Sequence, residues 1–384
     1  MITGSKDLIR DINSTNVLET IINSNSISRA AIAKKLGLSK ATISNIVQDL
    51  IDKKLIKEIG SEDTDLGRKP ILLSINQNAG YVISINLDIN KITSLLSNLT
   101  GEYNQIVQVD TPQEEEQFFP VLVDLIDDLI KDARATPYGL IGIAIGIHGV
   151  TQNNQIAFAP YYSIYNLDLH QQLTNHYKTK VYLENEANLS VIGEKAFIYD
   201  YSNVANISIH SGVGLGLVIN NNLYTGFSGH AGELGHTIVE MNGRECPCGN
   251  KGCLEQYVSE QALLKEYASK KSLSKFPFEE FCNMYRTGDE DALKIMDKFV
   301  HYMSICVNNV LNLYNPDIII INSAFIYLDE SLLIRIKHSL TSHMNSYDKI
   351  VPSALKNSSI LLGGVCVCVK QFLGVNNLNL INIL

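Results

Sequence analysis

The chain has 384 residues, of which 45% are hydrophobic and 18% are charged. This length indicates two or three domains, and this composition excludes a largely disordered chain. The longest uninterrupted apolar stretch, Leu140–Ile147, is far shorter than the roughly 20 residues of a membrane helix. The first residues, MITGSKDLIRD, lack the apolar run of a signal peptide. We therefore expect a cytoplasmic protein of several domains, with no membrane segment.

Charge is distributed unevenly along the chain. Residues 1–76 carry 11 Lys and Arg against 9 Asp and Glu, a net charge of +2, whereas the other residues carry 20 against 31, a net charge of −11. Between Arg29 and Lys57 the only acidic residues are Asp49 and Asp52. This basic patch favours contact with a polyanion, although a charge run of this size is also typical of a solvated surface.

Residues 1–76 have the pattern of a winged helix-turn-helix domain. Apolar residues at helical spacing over Asn16–Asn23 predict a first helix. Ser28 can cap a second helix that ends at Gly37, and Ser39 can cap a third helix over Lys40–Lys54. Two helices joined by so short a turn, the second of them amphipathic, are typical of a domain that binds double-stranded DNA.

The third helix separates an apolar face from a polar one. Its buried stripe is predicted to contain Ile43, Ile46, Val47 and Leu50. The residues predicted to face DNA are Ser39, Lys40, Ala41, Ser44 and Asn45. The alternative is a purely structural helical hairpin, in which this polar face only meets solvent.

A β-hairpin wing is predicted after the third helix. Leu55–Ile59 and Ile71–Ile75 can pair as antiparallel strands around the polar tip GSEDTDLGRKP. Arg68 and Lys69 in this tip would then reach DNA phosphates or a narrow minor groove. Neighbouring acidic residues leave an ordinary solvated loop as the alternative.

The remainder of the chain predicts an α/β body built from two similar units. The first unit has three strands, a helix and a buried strand, predicted at Tyr81–Leu87, Thr93–Leu99, Ile106–Val109, Phe118–Ala133 and Leu140–Ile147. The second unit contains strands predicted at Ala205–Ile209, Gly214–Asn220 and Asp317–Ile321. This order predicts a two-lobed actin-like, ribonuclease H-like fold with a ligand cleft between the lobes. The predicted boundaries are 1–76 for the winged helix domain, 77–200 plus 365–384 for lobe I, and 201–364 for lobe II.

One histidine and three cysteines have the spacing of a closed metal site. His236 is followed by Cys246, Cys248 and Cys253, and this set can bind zinc tetrahedrally. Four protein ligands leave no open position for water, so the predicted zinc is structural. The alternative is a loop of free thiols. The remaining cysteines stand in apolar helical contexts and are predicted to be core residues: Cys282, Cys306, Cys366 and Cys368.

Three motifs together resemble the ROK family, which groups repressors, open reading frames and sugar kinases. They are the segment Glu233-Leu234-Gly235-His236, the Cys-x-Cys-Gly-x2-Gly-Cys-x-Glu loop and the upstream Gly-rich SGVGLG. The resemblance covers residues ~80–370 and implies the sugar-kinase version of the actin-like fold. With the winged helix domain added, the chain resembles the transcriptional regulators of this family, especially the xylose-repressor type.

The resemblance also implies a monosaccharide site. Asn185 and Glu186 match the asparagine–aspartate pair that holds sugar hydroxyls in the family. Glu233 and His236 match the residues that bind the sugar ring, and Glu255 matches a further hydroxyl acceptor. His148 stands where the kinases usually have proline, and both a sugar contact and another partner remain open for it.

The nucleotide-binding motifs of the family kinases are altered in this chain. Their Asp-x-Gly-Gly-Thr segment is replaced by Asp88-Ile89-Asn90-Lys91-Ile92, and a later Gly-Gly pair is replaced by Asn322-Ser323. The catalytic aspartate of the kinases is replaced by Glu186, whose side chain is one methylene longer. The extra methylene displaces the carboxylate by about an ångström, and a misplacement of that size can cost ~100-fold in rate. We therefore predict that the chain is not an enzyme.

The resulting prediction is a sugar-responsive DNA-binding transcriptional regulator. It would repress genes for uptake or catabolism of a xylose-like sugar as a homodimer and leave its operator when an aldose binds. The alternative is an ATP-dependent sugar kinase of the ROK type with an added DNA-binding domain. The sequence does not separate xylose from glucose, a dimer from a tetramer, or an inducer from a corepressor.

Overall fold

The computed structural model describes residues 6–61, 70–159, 164 and 167–381. It contains a winged helix domain, followed by two α/β lobes. No helix in these ranges is both long and apolar enough to cross a bilayer.

The winged helix domain has three helices and a small antiparallel sheet of order β1-β3-β2. Its elements are α1 (Lys6–Ile22), β1 (Ile27–Ser28), α2 (Arg29–Leu36), α3 (Lys40–Asp52), β2 (Ile56–Ser61) and β3 (Ile71–Ile75). This confirms the predicted domain type. The wing tip at residues 62–69, which includes Arg68 and Lys69, lies outside the described residues.

Both predicted helix caps are present. The Ser28 hydroxyl accepts a hydrogen bond from Ala31 N at 3.3 Å, and α2 ends at Gly37, whose φ is 66°. The Ser39 hydroxyl accepts one from Thr42 N at 3.1 Å at the start of α3. Each cap satisfies a backbone donor that the helix leaves unpaired, which typically contributes ~1 kcal/mol.

The first helix is longer than predicted. It begins at Lys6 rather than Asn16, and its early turns expose Ile9 and Ile12, each about half accessible (53% and 51%). The prediction of a helix over Asn16–Asn23 alone was therefore wrong in extent, because exposed apolar residues among charged ones do not form a buried stripe.

Lobe I is built on a five-stranded mixed sheet of order β10-β7-β4-β5-β6. Its elements are β4 (Tyr81–Leu87), β5 (Lys91–Asn98), β6 (Tyr103–Asp110), α4 (Glu115–Lys131), β7 (Leu140–Ile147), β8 (Val150–Gln152), β9 (Gln155–Phe158), α5 (Leu169–Tyr177), β10 (Val181–Asn185) and α6 (Glu186–Phe197). The strands β4 and β7 have the predicted bounds. The other elements predicted here agree to within a few residues.

Lobe II repeats this plan with a sheet of order β13-β12-β11-β14-β15. Its elements are β11 (Val204–Ile209), β12 (Val213–Ile219), β13 (Asn222–Leu223), α7 (Glu255–Val258), α8 (Glu260–Lys270), α9 (Phe278–Arg286), α10 (Glu290–Tyr314), β14 (Ile318–Ser323), α11 (Ala324–Leu328), α12 (Ser331–His338) and β15 (Lys349–Pro352). In both sheets the third strand in this order pairs antiparallel on one side and parallel on the other. The predicted duplication of an α/β unit is therefore confirmed.

Two helices cross between the lobes. The helix α13 (Ser358–Leu373) packs on β4, β7 and α6, and it begins before the predicted return to lobe I at residue 365. A Cβ atom on Gly193 of α6 would lie 2.3 Å from Ser359 O, and one on Gly363 of α13 would lie 1.9 Å from Leu189 O. Only glycine at these two positions permits so close a crossing.

The winged helix domain packs directly against lobe I. One continuous hydrophobic cluster includes Val17 and Ile21 of α1 together with Val369 of α13 and Leu380 near the C-terminus. The Tyr138 hydroxyl donates to Lys53 O at 2.8 Å across the same boundary. The four cysteines predicted to be core residues, Cys282, Cys306, Cys366 and Cys368, are buried, as expected.

Candidate functional site

A cleft lies between the lobes and is lined by residues of both. Its walls include all six residues that the sequence predicts for sugar binding: His148, Asn185, Glu186, Glu233, His236 and Glu255. Three carboxylates, two histidines and an asparagine therefore converge on one small space, although they come from four separate segments of the chain.

The lobe I wall is organised around the start of α6. The Asn185 side-chain oxygen caps this helix by accepting from Ala187 N at 2.8 Å and Asn188 N at 3.2 Å, while its Nδ2 donates to Gly149 O at 2.9 Å. One N–H of this amide is left for a ligand. The neighbouring Glu184 carboxylate accepts from Asn185 N at 2.8 Å, and burial raises its pKa.

Glu186 connects the two lobes inside the cleft. Its side chain is only 5% exposed, and its Oε2 accepts a 3.1 Å hydrogen bond from the Ser208 hydroxyl on β11. A Cβ atom at Gly214 on β12 would lie 3.4 Å from Oε1. The carboxylate is therefore backed by two strands of lobe II.

His148 directly follows β7 and also lines the cleft. Its ring is buried, its Nε2 has no hydrogen-bond partner, and this atom lies 3.8 Å from Oδ1 of Asp88. That Asp88 oxygen already accepts from Ile89 N at 2.6 Å and from the Ser211 hydroxyl at 3.2 Å. The imidazole thus has an unused polar atom next to the cleft.

The lobe II wall carries two carboxylates and a histidine. The Nε2 of His236 lies 3.8 Å from Oε2 of Glu233, and burial raises the pKa of Glu233. Glu255 is the first residue of α7, and its Oε2 accepts from Val213 N at 3.3 Å. These groups can accept hydrogen bonds from the hydroxyls of a polyol, which gives strong charge-assisted contacts.

His236 also belongs to a cluster with the three predicted cysteine ligands. The ligand atoms of His236, Cys246, Cys248 and Cys253 all lie within 4.8 Å of one another. The Sγ atoms of Cys248 and Cys253 are 3.7 Å apart, and His236 Nδ1 is 3.6 Å from Cys246 Sγ. A tetrahedral ion with bonds of about 2.3 Å to sulfur separates its sulfur ligands by about 3.8 Å, so this donor set has the dimensions of a metal site.

The backbone of the loop at residues 246–253 requires glycine where it passes close to Glu240. Gly252 has a φ of 81°, and a Cβ atom there would lie 1.7 Å from Glu240 O. Gly249 also has a positive φ of 96°. The loop can therefore bring Cys253 back to the other ligands.

Two side chains in the segments predicted to replace the kinase nucleotide motifs make contacts within the protein. Asn322 is completely buried, and its Nδ2 donates to Lys356 O at 3.2 Å and to the Ser359 hydroxyl at 3.0 Å. Lys91 opens β5 and forms an exposed ion pair with Asp110 at 2.6 Å.

The face of α3 that was predicted to meet DNA is open to solvent. Ser39, Lys40, Ala41, Ser44 and Asn45 are all exposed, whereas Ile43, Ile46, Val47 and Leu50 on the opposite face are buried. The Ser39 hydroxyl is engaged as the cap of α3, so its freedom to contact a base is reduced. Arg68 and Lys69 remain predictions, since they lie outside the described residues.

Sequence reasoning missed several residues of the cleft. Phe158 on β9 and Val213 on β12 supply apolar surface to its lining, and Ser208 holds Glu186. A serine or valine within a buried strand carries no local signal of a site. Only the spatial pairing of β11 and β12 with α6 brings these residues to the cleft.

The fold and this site define a class of protein in which a DNA-binding module is joined to a two-lobed body with a ligand cleft. A helix-turn-helix module with a solvent-facing polar helix is attached to a two-lobed sugar-kinase fold, whose cleft is lined by carboxylates and bordered by a Cys/His cluster.

Comparison with known proteins identifies the family. A model of the ROK family matches residues 82–369, and a model of the MarR family matches residues 11–65. The chain therefore belongs to the ROK family. The xylose repressor of Bacillus spizizenii is 33% identical to it, over 97% of this chain and 98% of that protein.

Two solved structures show the same architecture. A ROK family transcriptional regulator, a homologue of the E. coli MLC protein, has a TM-score of 0.80 at 26% identity and covers 95% of this chain and 96% of that chain. A ROK family glucokinase from Streptomyces griseus, solved with glucose and AMPPNP, has a TM-score of 0.67 at 21% identity and covers 75% of this chain and 99% of that chain. The second likeness concerns the fold of the two lobes and leaves out the winged helix domain.

Proposed function

We propose that this protein is a sugar-responsive DNA-binding repressor that leaves its operator when an aldose occupies the cleft. The observation that carries the proposal is the combination, in one chain, of an exposed polar face on α3 with a cleft lined by Glu186, Glu233 and Glu255. The relatives named as xylose repressors support an aldose of the xylose type as the ligand.

The cleft is suited to a neutral polyol. Carboxylates accept hydrogen bonds from hydroxyl groups, and the remaining N–H of Asn185 can donate one to a sugar oxygen. Phe158 and Val213 offer apolar surface for the C–H face of a pyranose ring.

We infer that His236, Cys246, Cys248 and Cys253 hold a structural zinc ion. A bound zinc ion would supply no catalysis here, since four protein ligands complete its coordination. Because Nδ1 of His236 faces the cysteines, the proton of the neutral imidazole would reside on Nε2. That N–H faces Glu233 and the cleft, where it can donate to a sugar hydroxyl.

The alterations around Asp88, Glu186 and Asn322 support a sensor without phosphoryl transfer. A kinase of this fold needs backbone amides that approach the ATP phosphates, and glycine is the residue that permits this approach. The alternative, a sugar kinase, predicts ADP release from ATP in the presence of an aldose. We expect the purified protein to release none.

We propose that a homodimer in the cytoplasm presents two α3 helices to successive major grooves of a palindromic operator. Lys40, Ser44 and Asn45 would contact base edges, and Arg68 and Lys69 would contact the backbone or the minor groove. A change in the angle between the lobes on sugar binding would alter the spacing of the two recognition helices.

The experiment that tests the proposal is a fluorescence-anisotropy titration of DNA from upstream of the protein's own gene, at a stated salt concentration because phosphate contacts make binding salt-dependent. We expect the apoprotein to bind this DNA and D-xylose to release it. An affinity that no aldose changes would contradict the proposed function.

A further inference from the structure

A second cavity, of about 550 Å³, lies where the winged helix domain meets both lobes. Lys35 on α2 lines it from the winged helix domain, Lys370 on α13 from lobe I, and Leu223 on β13 from lobe II. None of the described residues that line this cavity also lines the cleft. A cavity of this size is large enough to hold a small molecule.

Three lysines from three different helices line this cavity: Lys35, Lys195 and Lys370. The Lys195 ammonium donates to Tyr201 O at 2.6 Å and to Asn221 Oδ1 at 2.9 Å, and burial lowers its pKa. Within the part of the chain that the structure describes, the ammonium groups of Lys35 and Lys370 have no hydrogen-bond or ion-pair partner. Two positive charges at this cavity are therefore not paired by any described side chain.

The acidic residues in the lining do not offset this charge. The Glu184 carboxylate already accepts from Asn185 N at 2.8 Å and from Asn188 Nδ2 at 3.0 Å, and burial raises its pKa. Asp200 is exposed to solvent. Six side-chain amides also line the cavity, and each of them offers N–H donors. The polar lining therefore favours a ligand that is negatively charged and rich in acceptor atoms.

The rest of the lining is largely apolar. It is contributed by side chains of α6, β12, β13, α13 and the C-terminal segment: Ile192, Ala196, Val218, Leu223, Val367 and Leu378. A small inorganic ion would leave this surface in contact with water, whereas an anion with a ring or a hydrocarbon body would cover it. The lining as a whole is suited to an amphipathic anion.

We propose that this cavity is a second ligand site, which binds a small organic anion with an apolar body at the junction of the winged helix domain and the two lobes. Lys35 belongs to the DNA-binding domain and Lys370 to lobe I, so one bound anion would contact both parts of the molecule. This inference goes beyond the proposed function and does not rest on the sugar assigned to the cleft.

The test measures the binding of three probes to the full-length protein without DNA, by ligand-observed NMR at constant ionic strength: phenyl phosphate, benzoate and inorganic phosphate. We expect at least one of the two aromatic anions to bind saturably, and at least about tenfold more tightly than inorganic phosphate, because its ring covers the apolar lining. The tighter of the two identifies the charged group that the site prefers. Inorganic phosphate binding as tightly as both, or no saturable binding of either aromatic anion, would overturn the proposal.

Two lysine variants locate the bound anion. Lys35→Gln and Lys370→Gln each remove one unpaired charge from the cavity, and we expect each to weaken the tighter aromatic anion by at least about fivefold. The control, Lys265→Gln, removes the same charge from the exposed surface of α8 and should bind the anion as the wild type does. Thermal unfolding shows whether each variant is folded, and either folded cavity variant decides the question. Unchanged affinity in a folded cavity variant would overturn the proposal.

Two other positions for the anion predict different results. An anion bound to the DNA-facing side of α3 would lose affinity in Lys40→Gln but not in Lys370→Gln. An anion bound in the cleft would be displaced by saturating D-xylose. Either result would overturn the second site. Failure of D-xylose to bind at all would overturn the proposed function instead, and the lysine variants would still locate the anion.

Discussion

The backbone N–H of Leu380 donates a 2.7 Å hydrogen bond to the carbonyl oxygen of Ala196. This bond joins the C-terminal segment 374–381 to the last turn of α6, whose first residue, Glu186, lies in the cleft. At 1.5 Å per residue, α6 spans about 18 Å. One rigid helix therefore connects the wall of the cleft to the C-terminal segment.

The other side of the C-terminal segment contacts the winged helix domain. The Glu19 carboxylate on α1 accepts from Asn376 N at 2.9 Å and from Asn377 Nδ2 at 3.2 Å. Asn379 N donates to Oδ1 of Asn23 at 2.9 Å, just after the end of α1. The cleft, α6, segment 374–381 and α1 thus form a continuous chain of contacts, and such a chain can transmit a change of lobe angle to the DNA-binding domain.

The first prediction concerns this connection. Glu19→Ala removes the acceptor of two hydrogen bonds from segment 374–381, so we expect sugar to release DNA less effectively while the affinity for sugar itself changes little. Anisotropy titrations with and without D-xylose measure the release, and calorimetry measures the sugar affinity. The control is Asp110→Ala, which removes an exposed carboxylate at the end of β6 in lobe I, and this variant should release DNA normally. Full release by the Glu19 variant would exclude this route.

The second prediction concerns the metal. Cys248 is the exposed member of the Cys/His cluster, so Cys248→Ser should lose bound zinc with little effect on the hydrophobic core. We expect weaker sugar binding as well, because His236 loses the ion that orients its ring toward the cleft. Metal analysis of the purified protein and calorimetry with D-xylose check both effects. Cys282→Ala, outside the cluster, should retain the zinc; equal zinc content in both variants would argue against the assigned ligands.

The third prediction concerns the DNA-facing helix. Lys40 is exposed at the first turn of α3, so Lys40→Ala should weaken DNA binding for all sequences and reduce the slope of log K against log salt by about one. Titrations at several salt concentrations measure that slope. Lys265→Ala changes the charge equally but lies on α8 of lobe II, and we expect it to leave the slope unchanged. A slope that responds to both variants, or to neither, would contradict this placement of DNA.

The fourth prediction concerns pH. Burial, together with the charges of Asp88 and Glu279, raises the pKa of Glu260 to about 7. The folded protein therefore binds this proton more tightly than the unfolded chain, whose ordinary value is 4.5. The stabilisation of the folded state that comes from protonated Glu260 is therefore fully present below about pH 4.5 and is lost as the pH rises through about 7.

Glu260→Gln removes this titration. Between pH 5 and pH 8, we expect the free energy of unfolding of this variant to rise relative to that of the wild type by on the order of 1 kcal/mol. Urea unfolding at several pH values measures the difference. Glu280→Gln removes an exposed carboxylate on α9 and should follow the wild type across this range. A constant difference for Glu260→Gln at every pH would refute the assignment.

Local sequence signals predicted much of the fold, and the resemblance to the ROK family predicted most of the residues that line the cleft. Ser28, Ser39 and Gly37 act through neighbouring backbone groups, so their roles can be read from a few residues. The strand β7 contains only apolar residues and glycine, β4 alternates apolar with polar residues over its second half, and the four predicted metal ligands lie within 18 consecutive residues, His236–Cys253.

Contacts between distant segments could not be predicted in this way. The bond from Ser208 to Glu186 and the bond from Leu380 to Ala196 exist only because sheets and helices bring separate segments together. The exposed early turns of α1 have no buried stripe to mark them. In each case the deciding information is tertiary.

The central claim is that sugar and operator bind to one protein with opposing effects, and the most direct measurement is the affinity for D-xylose with and without saturating operator-region DNA at the same salt concentration. Linkage requires DNA to weaken sugar binding by the same factor by which sugar weakens DNA binding. We therefore predict two equal factors, each well above one. Equal sugar affinity in the presence and absence of the operator would contradict the account.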